Sequence, residues 1–190
     1  VAKEKLKDPI AQEGSPVLRL VAKPVPQKEI ASAAIAKVIK KMHAALAPEK
    51  YGVAIAAPQV GESLRIFVVA GRVFGEGEHV PDGSGDATGG PENTQKGHDL
   101  PPPANKVYIN PEITRSSRGK IDESEGCLSV RGLYGMVKRH TKVTLKYTDE
   151  QGNTQTENAS GLLAHIFQHE VDHLNGILFI DKAKHLHESK

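Results

Sequence analysis

Near the end of the chain two histidines stand four residues apart, with a glutamate directly after the first: QHEVDHLNG, residues 168–176. They fall in the strongest helical pattern of the sequence, predicted over residues 160–174, with Ser160 placed to cap its start and Gly176 just past its end. On a helix, residues i and i+4 lie one above the other. His169 and His173 can therefore point two imidazoles at one ion. Glu170 is rotated by roughly 100° from His169, so it can reach a metal-bound water without ligating the metal. The competing reading is a wet helix face whose histidines bond to their neighbours. The metal reading requires the rest of the chain to supply a third ligand and a substrate cleft.

His165 lies a further four residues back on the same face. From His165 to His173 is roughly 12 Å along the axis, too far for one ion held at ~2 Å from both. His165 is therefore expected at a pocket edge or on the surface. A third histidine at the position required by one class of metallopeptidase is absent, because Phe179 stands there. Glu188, the only glutamate downstream, sits in a polar tail and is a poor buried ligand. Upstream candidates include Cys127, in EGCLS at residues 125–129. Thiolate with two imidazoles is a sound donor set that leaves a fourth position for water. The bland reading of a lone thiol is a small buried apolar residue. With one cysteine, no disulfide can form within the chain.

The 190-residue sequence fits one domain with a core. Its net charge of +2 gives no electrostatic case for nucleic acid or an acidic membrane. No apolar run approaches the ~20 residues of a membrane span, and the start has no signal-peptide pattern. Residues 1–27 read as an extended arm packed on the domain. Residues 28–47 read as a second, N-terminal helix with Ile30, Ala34, Val38, Met42 and Ala45 on one stripe. Residues 64–70, LRIFVVA, read as a buried strand, and residues 142–148 as a half-buried one. Short strands are expected at residues 107–110 and 112–116, a hairpin turn at residues 149–153, and a polar edge strand at residues 154–158. Residues 71–106 are rich in Gly, Pro, Asp and Glu and cannot offset their ordering entropy. They read as a long surface insertion within the single domain 1–190. His79, His98, His140, His185 and His187 sit among polar residues and are expected to be solvated. The expected class is α+β: short, mainly antiparallel strands around a central metal-binding helix.

Three segments then stand together in order: GVAIAAPQ (52–59), EGCLS (125–129) and QHEVDH (168–173). This set resembles the peptide deformylases, and the flanking SPVLRLVAKPV, INPEI and SGLLAHIFQHEVDHLNGILFID are similar to that family too. The resemblance covers most of the chain outside the insertion. It implies hydrolytic removal of the formyl group from the N-terminal formyl-methionine of new polypeptides, with release of formate. It assigns Cys127, His169 and His173 as ligands of one divalent ion: Fe(II) as the physiological metal, with Zn(II), Ni(II) or Co(II) accepted. Glu170 would be general base and then proton donor. Gln59 and the Leu128 N–H would bind the developing oxyanion.

By the same resemblance Glu125 and Arg139 would form a supporting ion pair, and Asp172 would hold a histidine or a nearby backbone group. Gly52, Val53, Ala54, Gly126, Leu162 and Ile166 would bind substrate, with Val53, Leu162 and Ile166 lining the methionine pocket. Ala54 departs from the glycine common in the family, which implies slower turnover or altered selectivity. The implied partners are formyl-methionyl nascent peptides near the ribosome. The implied compartment is a bacterial-type cytoplasm, or an organelle after removal of a transit peptide. The expected state is a monomer with no nucleic-acid specificity and no membrane association. The competing functions are an HExxH metallo-endopeptidase and an inactive metal-binding homologue.

Overall fold

A computed structural model describes residues 8–74 and 103–188. Its architecture is α+β. Helix α1 spans Ala33–Leu46 and helix α2 Gly161–Leu174. The strands are β1 (Ala54–Ala56), β2 (Ile66–Val69), β3 (Lys106–Ser116), β4 (Lys120–Cys127), β5 (Val130–His140), β6 (Lys142–Thr148), β7 (Thr154–Ser160) and β8 (Lys184–Glu188). They form a five-stranded antiparallel sheet in the order β1-β2-β3-β6-β7 and a three-stranded one in the order β4-β5-β8. No helix among the described residues is long and apolar enough to cross a membrane.

The apolar run of β2 is continuous because that strand is covered on both faces. Ile66 and Val68 join Ile55, Val107 and Ile109 in the core under α1. Phe67 and Val69 point the other way, into the core that holds Phe167 and Ile166 of α2. Phe67 stacks on Tyr108 with ring centroids 4.6 Å apart, and Phe167 meets Tyr108 edge-on at 5.1 Å. The Phe167 contact clamps α2 onto the sheet, against the stacked Phe67–Tyr108 pair. Strand β6 alternates as expected, with Val143, Leu145 and Tyr147 buried. β7 is indeed the edge strand.

Several expectations need correction. The buried face of α1 is Ile35, Ile39, Met42, Ala45 and Leu46, whereas Ala34 is exposed. Ile30 belongs to a preceding 3-10 turn rather than the helix. The helix starts at the Ser32 cap, whose hydroxyl accepts from the Ile35 N–H. The strands expected on either side of Pro111 are one strand, β3, bent by a register shift near Asn110, whose φ is +50°. The Asn110 side chain exchanges two hydrogen bonds with the backbone of Val25 and so fastens the N-terminal arm. Ser160 occupies the cap position of α2, but its side chain makes no capping bond. His140 is half-buried, with Nδ1 against Ser117 O, rather than solvated. His185 and His187 are exposed, and His79 and His98 lie outside the described residues.

The ends of the inserted segment meet: the Gly71 N–H donates to Asn105 Oδ1 at 2.9 Å, and β2 pairs directly with β3. Residues 75–102 of that segment lie outside the described residues.

The hairpin β4–β5 and the short tail strand β8 have no counterpart among the expectations. The hairpin turns at Leu128 and Ser129. Its third neighbour is a small core built from the arm and the turn after α2, with Ala11, Leu18, Val130, Val137, Leu178 and Phe179. Helix α2 thus lies between the two sheets. At its far end Gly176, at φ +74°, presses on the arm, and a Cβ there would come within 2.6 Å of the Arg19 carbonyl oxygen.

Candidate metal centre

The last residue of β4 is Cys127, and its Sγ lies 3.2 Å from His173 Nε2 on α2. Cys127, His169 and His173 offer three ligand atoms all within 4.8 Å of one another. The two imidazole rings are 4.9 Å apart and nearly perpendicular, as residues one helical turn apart can be when both turn towards one point.

The tautomer of His169 follows from its partner. His169 Nδ1 lies 2.8 Å from Glu125 Oε2. An ionised carboxylate only accepts, so Nδ1 carries a hydrogen and Nε2 is the ring nitrogen left to face the site. His173 presents Nε2 directly, while its Nδ1 is buried without a hydrogen-bond partner.

Behind the donors lies a chain of buried charges. Arg139 donates from Nε and Nη2 to the two oxygens of Glu125 at 2.5 and 3.0 Å, and from Nη1 to Asp172 Oδ2 at 2.7 Å. Lys182 donates to both Asp172 oxygens. Burial disfavours charge on Glu125, but hydrogen bonds from His165, His169 and Arg139 outweigh it and hold the carboxyl well below the usual range. The expected Glu125–Arg139 pair is therefore present. Asp172 differs from expectation: its side chain holds Arg139 and Lys182, and the carboxylate that holds a histidine is Glu125.

Electrostatics at the donors favour one added positive charge. Burial pushes the Cys127 thiol up, yet the charge on His173 and hydrogen bonds from both histidines hold it well below its ordinary value. Burial pushes His169 down, while Cys127 and Glu125 raise it. The thiolate is the ligating form of cysteine, and the site draws a cation to it. Glu170 is buried beside the histidines with Oε2 unpartnered. Burial raises its pKa; the charges of His169 and His173 oppose the rise and those of Cys127 and Glu125 add to it, with a net shift upward. A buried carboxylate oxygen without a partner is costly, which marks it as a group waiting for a water or substrate. These features fit a catalytic divalent ion on Cys127, His169 and His173 with Glu170 beside it.

The first motif reaches the same place by a 3-10 turn, Ala57–Val60, after β1. Gln59 Oε1 accepts from the Ala56 N–H at 2.8 Å, which leaves Nε2 facing the site, 3.6 Å from Cys127 Sγ and 3.1 Å from Ser129 Oγ. Leu128 lies in the β4–β5 turn, and its carbonyl accepts from Gln12 of the arm. Gly52 touches Leu128: a Cβ on Gly52 would sit 3.1 Å from Leu128 Cδ1, and its carbonyl oxygen accepts from Arg72. Gly126 is exposed, with the Tyr134 ring where a Cβ would be.

The expected pocket residues separate. Leu162 is 42% exposed on the helix face that carries His169, whereas Ile166 is buried in the core with Phe167. Val53 is half-buried against that core, and Ala54 is buried in it. The Ala54 methyl therefore packs inside.

Three residues close to the donors had no assigned role in the sequence: Ser129, Gln168 and His165. Gln168 exchanges two hydrogen bonds of 2.9 Å with the backbone of His140 and so sutures α2 to β5. Its place directly before the HExxH segment was the available signal.

Fold and donor set together define a hydrolase-type centre: an HExxH helix completed by a cysteine from a neighbouring hairpin. The polypeptide deformylase family model matches residues 7–189. The chain is 40% identical to a peptide deformylase of Halothermothrix orenii, over 94% of this chain and 95% of that one. It is 39% identical to peptide deformylase 2 of a Nostoc species, over 93% and 86%. Among solved structures, a class I type b peptide deformylase from Acinetobacter baumannii with Met-Ala-Ser bound superposes with a TM-score of 0.71 at 37% identity, covering 92% of this chain and 96% of that one. The chain belongs to the peptide deformylase family of enzymes.

Proposed function

We propose that this protein hydrolyses the N-terminal formyl group of formyl-methionyl peptides and releases formate. The observation that carries the reading is the placement of buried Glu170, with one carboxylate oxygen unpartnered, beside three donors within 4.8 Å of one another. Cys127, His169 and His173 would hold one divalent ion, Fe(II) in the cell. When bound, such an ion supplies a water whose pKa falls from ~15.7 towards ~7 and a positive charge beside the formyl oxygen.

The chain's own residues divide the remaining work. Glu170 takes the proton of the attacking water and later delivers it to the departing amine. Its raised pKa suits both halves of that cycle. The Gln59 amide, pinned at Oε1 by the Ala56 N–H, directs Nε2 at the oxygen that gains charge. The Leu128 N–H is the second donor. Glu125 orients His169 through Nδ1. Leu162, exposed on the ligand face of α2, contributes apolar wall to the methionine side chain.

The natural substrates are nascent chains begun with formyl-methionine. The working compartment is a bacterial-type cytoplasm or an organelle of that lineage, and the working form is a monomer. Against the endopeptidase alternative stand Phe179, where one such class needs a histidine, and Cys127, close enough to His169 and His173 to be the third donor.

Anaerobic hydrolysis of formyl-Met-Ala-Ser by protein loaded with iron(II) or nickel(II) tests the reading, with formate as the measured product. Formate release is expected. No release with metal verifiably bound would overturn it.

A further inference from the structure

We infer that His165 is a positioning residue of the metal centre: it fills the last acceptor position of Glu125 and thereby fixes how Glu125 holds His169. The inference rests on the reading of Cys127, His169 and His173 as ligands.

A carboxylate offers about four lone-pair positions, two on each oxygen. On Glu125 three are taken by hydrogen bonds, and His165 Nε2 stands at the fourth. Oε1 receives Arg139 Nε at 2.5 Å, and His165 Nε2 lies 2.9 Å from it. Oε2 receives Arg139 Nη2 at 3.0 Å and His169 Nδ1 at 2.8 Å. Two donors on each oxygen fix the carboxylate plane from both sides. The Arg139 fork holds both oxygens from one side, and on the other side His165 at Oε1 balances His169 at Oε2. Without His165 the carboxylate can rock within the fork, and Oε2 would move with it. His169 Nδ1–H follows Oε2, so the direction of His169 Nε2 depends on the grip at Oε1.

Position and charge agree with this role. His165 lies one helical turn before His169, so both rings descend on Glu125 from the same face. The His165 side chain is 16% exposed and that of Glu125 only 1%. His165 is thus the member of the cluster that shields the carboxylate from the open side. Arg139 pairs with both Glu125 and Asp172, and Lys182 with Asp172. The requirement is then for a hydrogen-bond donor at that point in space. Glutamine can meet it, because its amide nitrogen reaches about as far as an imidazole Nε2, and leucine cannot.

The test compares wild type, His165→Leu and His165→Gln, each loaded with cobalt(II). Three quantities are read: the visible absorption bands of the bound cobalt, the rate of cobalt loss to excess EDTA, and formate release from formyl-Met-Ala-Ser. Residues that orient metal-bound histidines typically change metal affinity about 10–100-fold when lost. His165→Leu is expected to shift the cobalt bands and lose metal at least about tenfold faster. His165→Gln is expected to restore both towards wild type, with KM little changed throughout. Wild-type bands and wild-type cobalt loss in His165→Leu would overturn the inference, as would equal behaviour of the Leu and Gln variants. A melting curve on each protein checks folding. If His165→Leu does not fold, His165→Ala supplies the same contrast with His165→Gln. Absence of formate from cobalt-loaded wild type would instead overturn the deformylase reading, while the bands and loss rates still judge His165.

Discussion

Gln59 and Ser129 come from different segments of the chain, and the Gln59 amide nitrogen donates to the Ser129 hydroxyl at 3.1 Å in a buried setting. The other end of the same amide is fixed by the Ala56 N–H, which can only donate, so the orientation of Gln59 admits no flip. Ser129 is therefore what aims the second N–H of Gln59 towards Cys127. Loss of one oxyanion donor typically costs ~10²–10³-fold in kcat, and that is the expectation for Gln59→Ala. Ser129→Ala keeps the donor but loosens it, so its kcat should fall by a smaller factor at nearly unchanged KM. Steady-state kinetics on formyl-Met-Ala-Ser decide. A Ser129→Ala enzyme as fast as wild type would remove Ser129 from the account.

Glu170 can be separated from the ligands by replacing charge alone. Glu170→Gln keeps the shape of the side chain and its neighbours but has no basic oxygen. We expect kcat to fall by at least ~10²-fold, with about one metal ion still bound per chain. Metal analysis beside the rate assay separates the two effects, since a protein that lost its metal would be inactive for another reason. Stripping wild type with a chelator should abolish formate release, and adding back nickel(II) should restore it.

Arg139 is surrounded by partners that need it. It is 4% exposed and gives three N–H groups to Glu125 and Asp172. Removing one partner of a buried ion pair typically costs ~3–5 kcal/mol, because the remaining charges stay buried and unpaired. Arg139→Met is expected to lose about that much in urea unfolding. Arg139→Lys should recover only part of it, since one ammonium cannot span two carboxylates with a planar fork. A loss below ~1 kcal/mol for Arg139→Met would show that water or a rearranged Lys182 compensates.

The legibility of this protein in its sequence follows the same chemistry. Helix α2 was readable because its apolar period and its histidine spacing agree. β2 and β6 were readable because their buried positions are apolar. The β4–β5 hairpin was not, because its inward positions include Glu125, Cys127 and Arg139. Polar residues facing inward erase the alternation that marks a strand, and they do so here because the site needs them. Cys127 stands out as the single thiol and a candidate third ligand, and Glu125 and Arg139 through the family resemblance rather than through any structural pattern. Asp172 was placed near the right neighbours with the wrong partner, since nothing local indicates that Arg139 would reach across from β5. His165 was set aside on distance to the ion, and that argument is sound for a ligand. It says nothing of a residue that acts one bond further out.

The arm also carries a charge that should register in stability. Arg19 Nη1 lies 2.5 Å from Asp181 Oδ2, and the same oxygen accepts from the Leu178 N–H at 2.8 Å. Burial works against the carboxylate, but these two donors outweigh it and hold Asp181 below its ordinary value of 3.8. A carboxyl whose pKa is lower in the folded state stabilises the fold fully above its unfolded pKa. That contribution is lost as pH falls through the folded value. Asp181→Asn retains an acceptor for Leu178 but not the charge, so wild type should melt higher than the variant near pH 7. Both side chains are more than a third exposed, so the gap is held to about 0.2–1 kcal/mol by solvent screening. That corresponds to a difference of no more than about 4 °C for a chain of this size. The gap should narrow as pH drops below about 4 and shrink in high salt. Melting curves of both proteins from neutral to acid pH test it. A gap that stays constant across that range would mean that the Asp181 charge contributes nothing, and that any effect of the substitution lies in the turn.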